Sequence, residues 1–117
     1  MSESVRIPSH QALIVLGSIF YADPGKLYGQ EISKLEGISS GTLYPLLSRL
    51  VGEGMLLAET ETASPAKLER PARTYYQLSE KGKKYADTYR VILLAAHELN
   101  RAIVNASPPL VTFSLFS

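Results

Sequence analysis

The sequence predicts an α+β fold, mostly α, and three observations carry the prediction. Apolar residues recur at steps of three and four over four stretches, near residues 10–21, 28–36, 39–52 and 79–105, which is helical periodicity. Between the third and fourth stretches, Met55 to Thr62 and Thr74 to Leu78 are rich in apolar, β-branched and aromatic residues and read as strands. The segment joining them, Ala63 to Ala72, is too long for a tight turn and projects as a loop. Three helices, a hairpin with a projecting loop and a last long helix make a winged helix-turn-helix with a long C-terminal dimerisation helix. Residues 1–78 form the winged domain in this reading, and 79–117 the C-terminal dimerisation helix and an apolar tail.

Each element has its own signal. Ser9 is placed to cap a first helix over His10 to Tyr21, with apolar positions 12, 13, 16, 19 and 20, and Asp23-Pro24-Gly25 breaks it. Tyr28 to Glu36 forms a short second helix with Ile32 and Leu35 inward and Gly37 as a left-handed end residue. Ser39 or Ser40 caps the third helix, which runs to about Gly52. Leu43, Leu46, Leu47 and Leu50 form its buried stripe. Pro45 is tolerated there because the carbonyl its ring opposes belongs to Gly41, where the hydrogen-bond ladder has barely begun. In the second strand Tyr76 and Leu78 point inward, and Arg73, Tyr75 and Gln77 outward.

Ser79 caps the last helix, predicted to run unbroken to about Asn105, with Glu80 favourably placed in its first turn. Tyr85, Tyr89, Ile92, Ala96, Leu99 and Ile103 alternate steps of four and three, a seam suited to pairing with a second copy. Further apolar residues at 91, 93, 94, 95 and 102 widen the face, so the helix also packs on its own first helix. The uncharged tail 107–117 is expected to be extended and to pack against the dimer.

At 45% apolar content and a net charge of +1 the chain can bury one modest core but not two. It contains no cysteine, which excludes disulfides and thiolate zinc sites, and His10 and His97 are too dispersed for a metal cluster. The opening residues lack a secretory signal, and nowhere do about 20 apolar residues run together as a membrane span requires. A cytoplasmic protein without cofactor or metal is expected. Residues 1–62 hold four Lys and Arg against seven Asp and Glu, residues 63–90 hold seven against three, and the remainder is balanced. Positive charge therefore gathers at the projecting loop and the start of the last helix, which suits a phosphate backbone.

The outward face of the third helix is small and polar, as a helix entering the major groove of a duplex must be. Ser39, Ser40, Gly41, Thr42, Tyr44, Ser48 and Arg49 lie there. Gly41 permits close backbone approach, the hydroxyls reach phosphate or base, and Tyr44 offers a phenol to phosphate. Arg49 can bind a guanine in bidentate fashion or a phosphate, and the residues leave both open. Lys67, Arg70 and Arg73 on the loop suit phosphates or a minor groove, adding affinity more than sequence choice. Arg70 and Arg73 also read as charges protecting a hairpin edge, and Lys81, Lys83 and Lys84 as a solvated first turn.

Enzymatic chemistry finds little support. Isolated Ser, His and Asp residues define no triad, Gly25-Lys26 lacks the remainder of a phosphate-binding loop, and no Gly-x-Gly-x-x-Gly occurs. Phe20, Tyr85 and Tyr89 either pack in the core or line a pocket for a small aromatic effector. His97, on the apolar helix, reads as a packed or interface histidine, or as a pH sensor.

Several short runs resemble one family. Leu27-Tyr-Gly-Gln-Glu-Ile32, Gly41-Thr-Leu-Tyr-Pro45 with Arg49-Leu50, Glu53-Gly54, and Arg73-Thr-Tyr-Tyr-Gln-Leu-Ser79 with Glu80-Lys-Gly82 are similar, in order and spacing, to the PadR family of bacterial transcriptional regulators. The resemblance covers roughly residues 10–105. It implies a homodimeric winged-helix repressor of double-stranded DNA with one C-terminal dimerisation helix, released in some members by an aromatic ligand. The chain departs from the pattern at Val51-Gly52, where charged helix formers are usual, at Thr74, where a basic residue is usual, and in its long wing loop and apolar end. Two functions follow as expectations: a dimeric regulator on a pseudo-palindromic operator, or a winged-helix module for protein association with little DNA affinity. Salt dependence of DNA binding separates them.

Overall fold

A computed structural model of the protein describes residues 9–106; the apolar tail expected at 107–117 lies outside the described residues. Helix α1 (His10–Phe20) begins where the Ser9 hydroxyl accepts a hydrogen bond from the Ala12 amide at 3.1 Å. Its residues are apolar on nearly every side, so it can only be central. Ala12, Ile14, Val15, Leu16 and Ile19 are buried among the helices and sheet around it.

Strand β1 (Lys26–Tyr28) follows, an element the sequence did not announce, and leads directly into α2 (Gly29–Glu36). The Glu31 carboxylate accepts from the Tyr28 amide at 3.2 Å, closing the start of α2. The buried positions of α2 are Gly29, Ile32 and Glu36. Leu35 was expected inward but is 38% exposed, because the stripe 29-32-36 turns it out of the core. Gly37 takes φ +66°, and the chain turns into α3 (Ser40–Gly52). Leu43, Leu46, Leu47 and Leu50 are all buried, as their spacing requires, and Pro45 is accommodated inside the helix.

Strands β2 (Leu56–Thr60) and β3 (Thr74–Leu78) pair antiparallel, from Leu56 opposite Leu78 to Thr60 opposite Thr74. Strand β1 adds to the other edge, with Leu27 opposite Tyr76, so the sheet order is β1-β3-β2. Because β3 is central, Tyr75 is half-buried rather than fully outward: its ring meets Tyr28 edge-on at 5.5 Å. The wing loop is not open throughout. It contains one helical turn, α4 (Pro65–Leu68), capped by Ser64.

The last helix is not continuous. It divides at Tyr89 into α5 (Glu80–Thr88) and α6 (Arg90–Ala106). The Thr88 hydroxyl donates to the Lys84 carbonyl at 2.9 Å, a back-bond that competes with the helical ladder and bends helices. Helix α5 starts on Ser79, whose hydroxyl accepts from the Gly82 amide at 2.9 Å, and any side chain at Gly82 would collide with the Met55 carbonyl. Helix α6 lies against α1. A methyl at Gly17 would stand 3.2 Å from the Leu93 carbonyl and 3.3 Å from His97 Cβ, so the two helices meet where a side chain is missing. Leu93 and Ala96 are buried there. Ala96 therefore belongs to the core of its own chain rather than to an outward seam, since the face pointing at α1 consumes that position.

Candidate nucleic-acid interface

The leucine stripe of α3 fixes which side faces out. Ser39, Ser40, Gly41, Thr42, Tyr44, Ser48 and Arg49 are all exposed on the opposite side. Ser39 is the N-cap residue, yet its hydroxyl donates to Thr42 Oγ1 at 3.3 Å and accepts from no amide of the first turn. The amide end of α3 is thus not closed by its own cap. Nothing lies within 4 Å of the position a side chain at Gly41 would take, so the space there is open. Arg49 makes a loose pair with Glu53 at 3.8 Å, with both side chains about half exposed, an arrangement worth little and easily exchanged for another anion.

The ring of Tyr44 lies against Gly29, where any side chain would overlap it, so α3 is braced on the start of α2. A cleft of about 320 Å³ opens beside this contact, lined by Tyr28, Gly29, Gln30, Tyr44, Arg73 and Tyr76 among others. It joins the start of α2, the outer face of α3 and the base of the wing.

At the wing, Glu61 acts as a hub. Its two carboxylate oxygens accept from Arg70 Nη1 at 2.7 Å and Nη2 at 3.0 Å, and one also accepts from the Arg73 amide at 2.8 Å. The Glu61 amide donates to the Arg73 carbonyl at 2.9 Å. Hydrogen bonds from Arg70 and then from the Arg73 backbone hold the Glu61 carboxyl down to about 2. The three loop cations are therefore unequal. Arg70 is engaged in a forked pair inside the wing, the Arg73 guanidinium lies 4.1 Å from the centre of the Tyr28 ring, and Lys67 is exposed on α4. Sequence reasoning missed Glu61, because its partners sit nine and twelve residues away across a loop. Lys81, read as part of a solvated first turn, instead donates from its ammonium to the Glu53 carbonyl at 2.8 Å beyond the end of α3.

Of the expected seam residues, Ile92, Leu99 and Ile103 are 51, 57 and 57% exposed, and Val91 beside them is 80% exposed. Tyr85 and Tyr89 are half-buried and pack on each other at 4.7 Å. Phe20 contacts Tyr21 edge-on at 4.9 Å. The cleft beside Tyr44, and a second of about 210 Å³ on the sheet near Lys26 and Tyr75, are lined by neither Phe20 nor the tyrosine pair.

Between the end of α2 and helix α6 lies a polar cluster. Glu36 is buried, and Arg101 donates to its Oε2 from Nε at 3.1 Å and Nη2 at 2.8 Å, while Asn100 donates to Oε1 at 2.9 Å. Burial opposes ionisation, but the bonds from Arg101 and Asn100 outweigh it and hold the Glu36 carboxyl below the usual range. His97 stacks on Tyr21 at 5.4 Å, and its Nδ1 is buried with no partner among the described residues. Burial pushes the His97 imidazole down, toward the neutral form, against the opposing pull of Glu36. Among the described residues, no group of three or more His, Asp or Glu could hold a metal ion, and no helix is long and apolar enough to cross a membrane.

A helix-turn-helix whose third helix offers a polar face, flanked by a two-stranded wing, defines a winged-helix protein of the DNA-binding regulator class. Residues 21–88 match the transcriptional regulator PadR-like family, and the chain belongs to that family. No curated protein matches it. It is similar in fold to a crystal structure of a protein assigned as a transcriptional regulator from Thermoplasma acidophilum. The TM-score is 0.54 at 20% identity, over 85% of this chain and 96% of that one.

Proposed function

We propose that the protein is a homodimeric repressor that binds a pseudo-palindromic operator in the cytoplasm, with residues 1–78 as the DNA-binding domain and 79–117 as the dimerisation segment. The observation that carries this reading is the joint exposure of the cap residue Ser39 and six small or polar residues on α3, opposite a buried leucine stripe. Helix α3 enters the major groove; Ser40, Thr42 and Arg49 meet base edges or phosphates there, and the unclosed amide end of α3 approaches a phosphate. Tyr44, Arg73 and Lys67 grip the backbone along the cleft and wing, while Arg70 acts indirectly by holding the wing in shape.

Dimerisation is supported by Ile92, Leu99 and Ile103, an apolar strip on α6 that a lone chain would leave exposed. Tyr85 and Tyr89 continue toward it. A small aromatic effector entering beside Phe20 and this tyrosine pair would act by changing how the two copies meet.

Titration with duplexes selected by the protein from a random pool, repeated at rising salt, tests the DNA reading. Log affinity should fall linearly with log salt, at about −0.9 per phosphate neutralised. A flat profile would instead support a winged-helix module for protein association, built on the same apolar strip.

A further inference from the structure

The cluster around the buried Glu36, between the end of α2 and α6, joins parts of the molecule that the proposed function keeps apart. Glu36 is the last residue of α2, and its side chain is fully buried. Helix α6 holds it at both ends: Arg101 and Asn100 bind the carboxylate, and the same Asn100 amide donates to the Glu36 main-chain carbonyl at 3.1 Å. One turn further along α6, Val104 closes on Gly37, where an added methyl would stand 3.2 Å from Cγ2. The turn that follows is locked. The Ile38 amide donates to the Ser33 carbonyl at 3.2 Å, and the Ser33 hydroxyl donates to the Ile38 carbonyl at 2.6 Å. Ser39, the next residue, is the N-cap of α3.

Only two residues therefore separate the anchored Glu36 from the cap of α3, and both are pinned. An apolar contact between α2 and α6 could slide or rotate at small cost. Two guanidinium donors on one carboxylate oxygen, with an amide on the other, are directional and restrict how the two helices can lie. Buried ion pairs add little stability over apolar replacements of similar volume, and their best-attested use is to fix register.

We propose that the Glu36–Asn100–Arg101 joint is the positioning device that fixes the separation of the two α3 helices in the dimer, and so selects the half-site spacing of the operator. This rests on the dimeric DNA-binding reading above. The joint touches no DNA; it acts by transmitting the orientation of α6 to α3. Half-sites about 34–36 Å apart demand such rigidity, because a second contact helps only when both can be made at once.

The test uses the whole chain, in which the absence of cysteine allows a single spin label at Gly52→Cys, a position with open space around it. The double variant Glu36→Leu/Arg101→Met replaces the ion pair by apolar side chains of similar size; Asn100→Ala is a milder second variant that leaves the ion pair in place. Label-to-label distances in the unmodified dimer should form one narrow peak, and in a folded, dimeric variant the peak should broaden or split. Against selected operators with half-sites moved apart by single base pairs, discrimination should fall about tenfold or more. Affinity for an isolated half-site should stay within about twofold, since the change is remote from the contact surface. An unchanged distance peak and spacing profile in either folded variant overturns the proposal, as does an equal loss on half-site and full operator. If the parent protein shows no label-to-label signal and no salt-dependent DNA binding, the functional reading itself has failed.

Discussion

On the proposed function, Arg49 is the side chain of α3 best suited to set sequence choice, since its pair with Glu53 is loose and a guanidinium can fork onto a guanine edge. Arg49→Ala should reduce the preference for operator over random duplex by about 1–3 kcal/mol if it reads a guanine. An equal loss on both duplexes, in a competition titration, would make it a phosphate contact. Arg70 should behave in that second way. Its guanidinium is held by Glu61, so Arg70→Ala loosens the wing and weakens both duplexes alike. The Glu61 carboxyl, held down to about 2, contributes fully above its ordinary value of 4.5. That contribution is lost as pH falls through about 2. Proton-exchange protection of the Arg73 amide, which Glu61 binds, should follow that window. His97 has the opposite charge logic with the same sign. Its lowered value means the folded state resists protonation, so stability is full above 6.5 and declines as pH falls below it. Denaturation midpoints of the parent should drop over that window more than those of His97→Phe.

At the scale of elements, the leucines of α3 are the clearest case of sequence determining structure. Leu47 is 0% exposed, and Leu47→Ala should cost about 2–5 kcal/mol in denaturant unfolding. Those leucines were legible because a stripe at steps of three and four has one interpretation. Leu35 was misread because α2 is short, and the alternative stripe passes through Glu36, a residue whose burial only the distant Arg101 makes tolerable. Strand β1 was invisible for a related reason: three residues with one buried side chain carry no alternation, and its existence depends on β3 being available to pair. The break at Tyr89 goes with a Thr88 hydroxyl back-bond that the apolar pattern does not encode. Of the interface, the exposed face of α3 could be read from its stripe. The division of labour among Lys67, Arg70 and Arg73 could not, because it is set by contacts across the wing.

For the whole molecule, the fold presents two surfaces on opposite logic, a polar one on α3 and an apolar one on α6, with the Glu36 joint between them. Placing a charge at the centre of the apolar strip, as in Leu99→Glu, should yield monomers in sedimentation experiments and sharply weaken operator binding, because a single half-site loses its linked partner. A dimer that persists would relocate the seam. The central claim is that α3 is shown twice to one face of a duplex. Hydroxyl-radical footprinting on a duplex selected by the protein tests it most directly. Two protected patches related by a dyad, about 10 base pairs apart on one face, are predicted; a single patch, or uniform protection without a dyad, would contradict it.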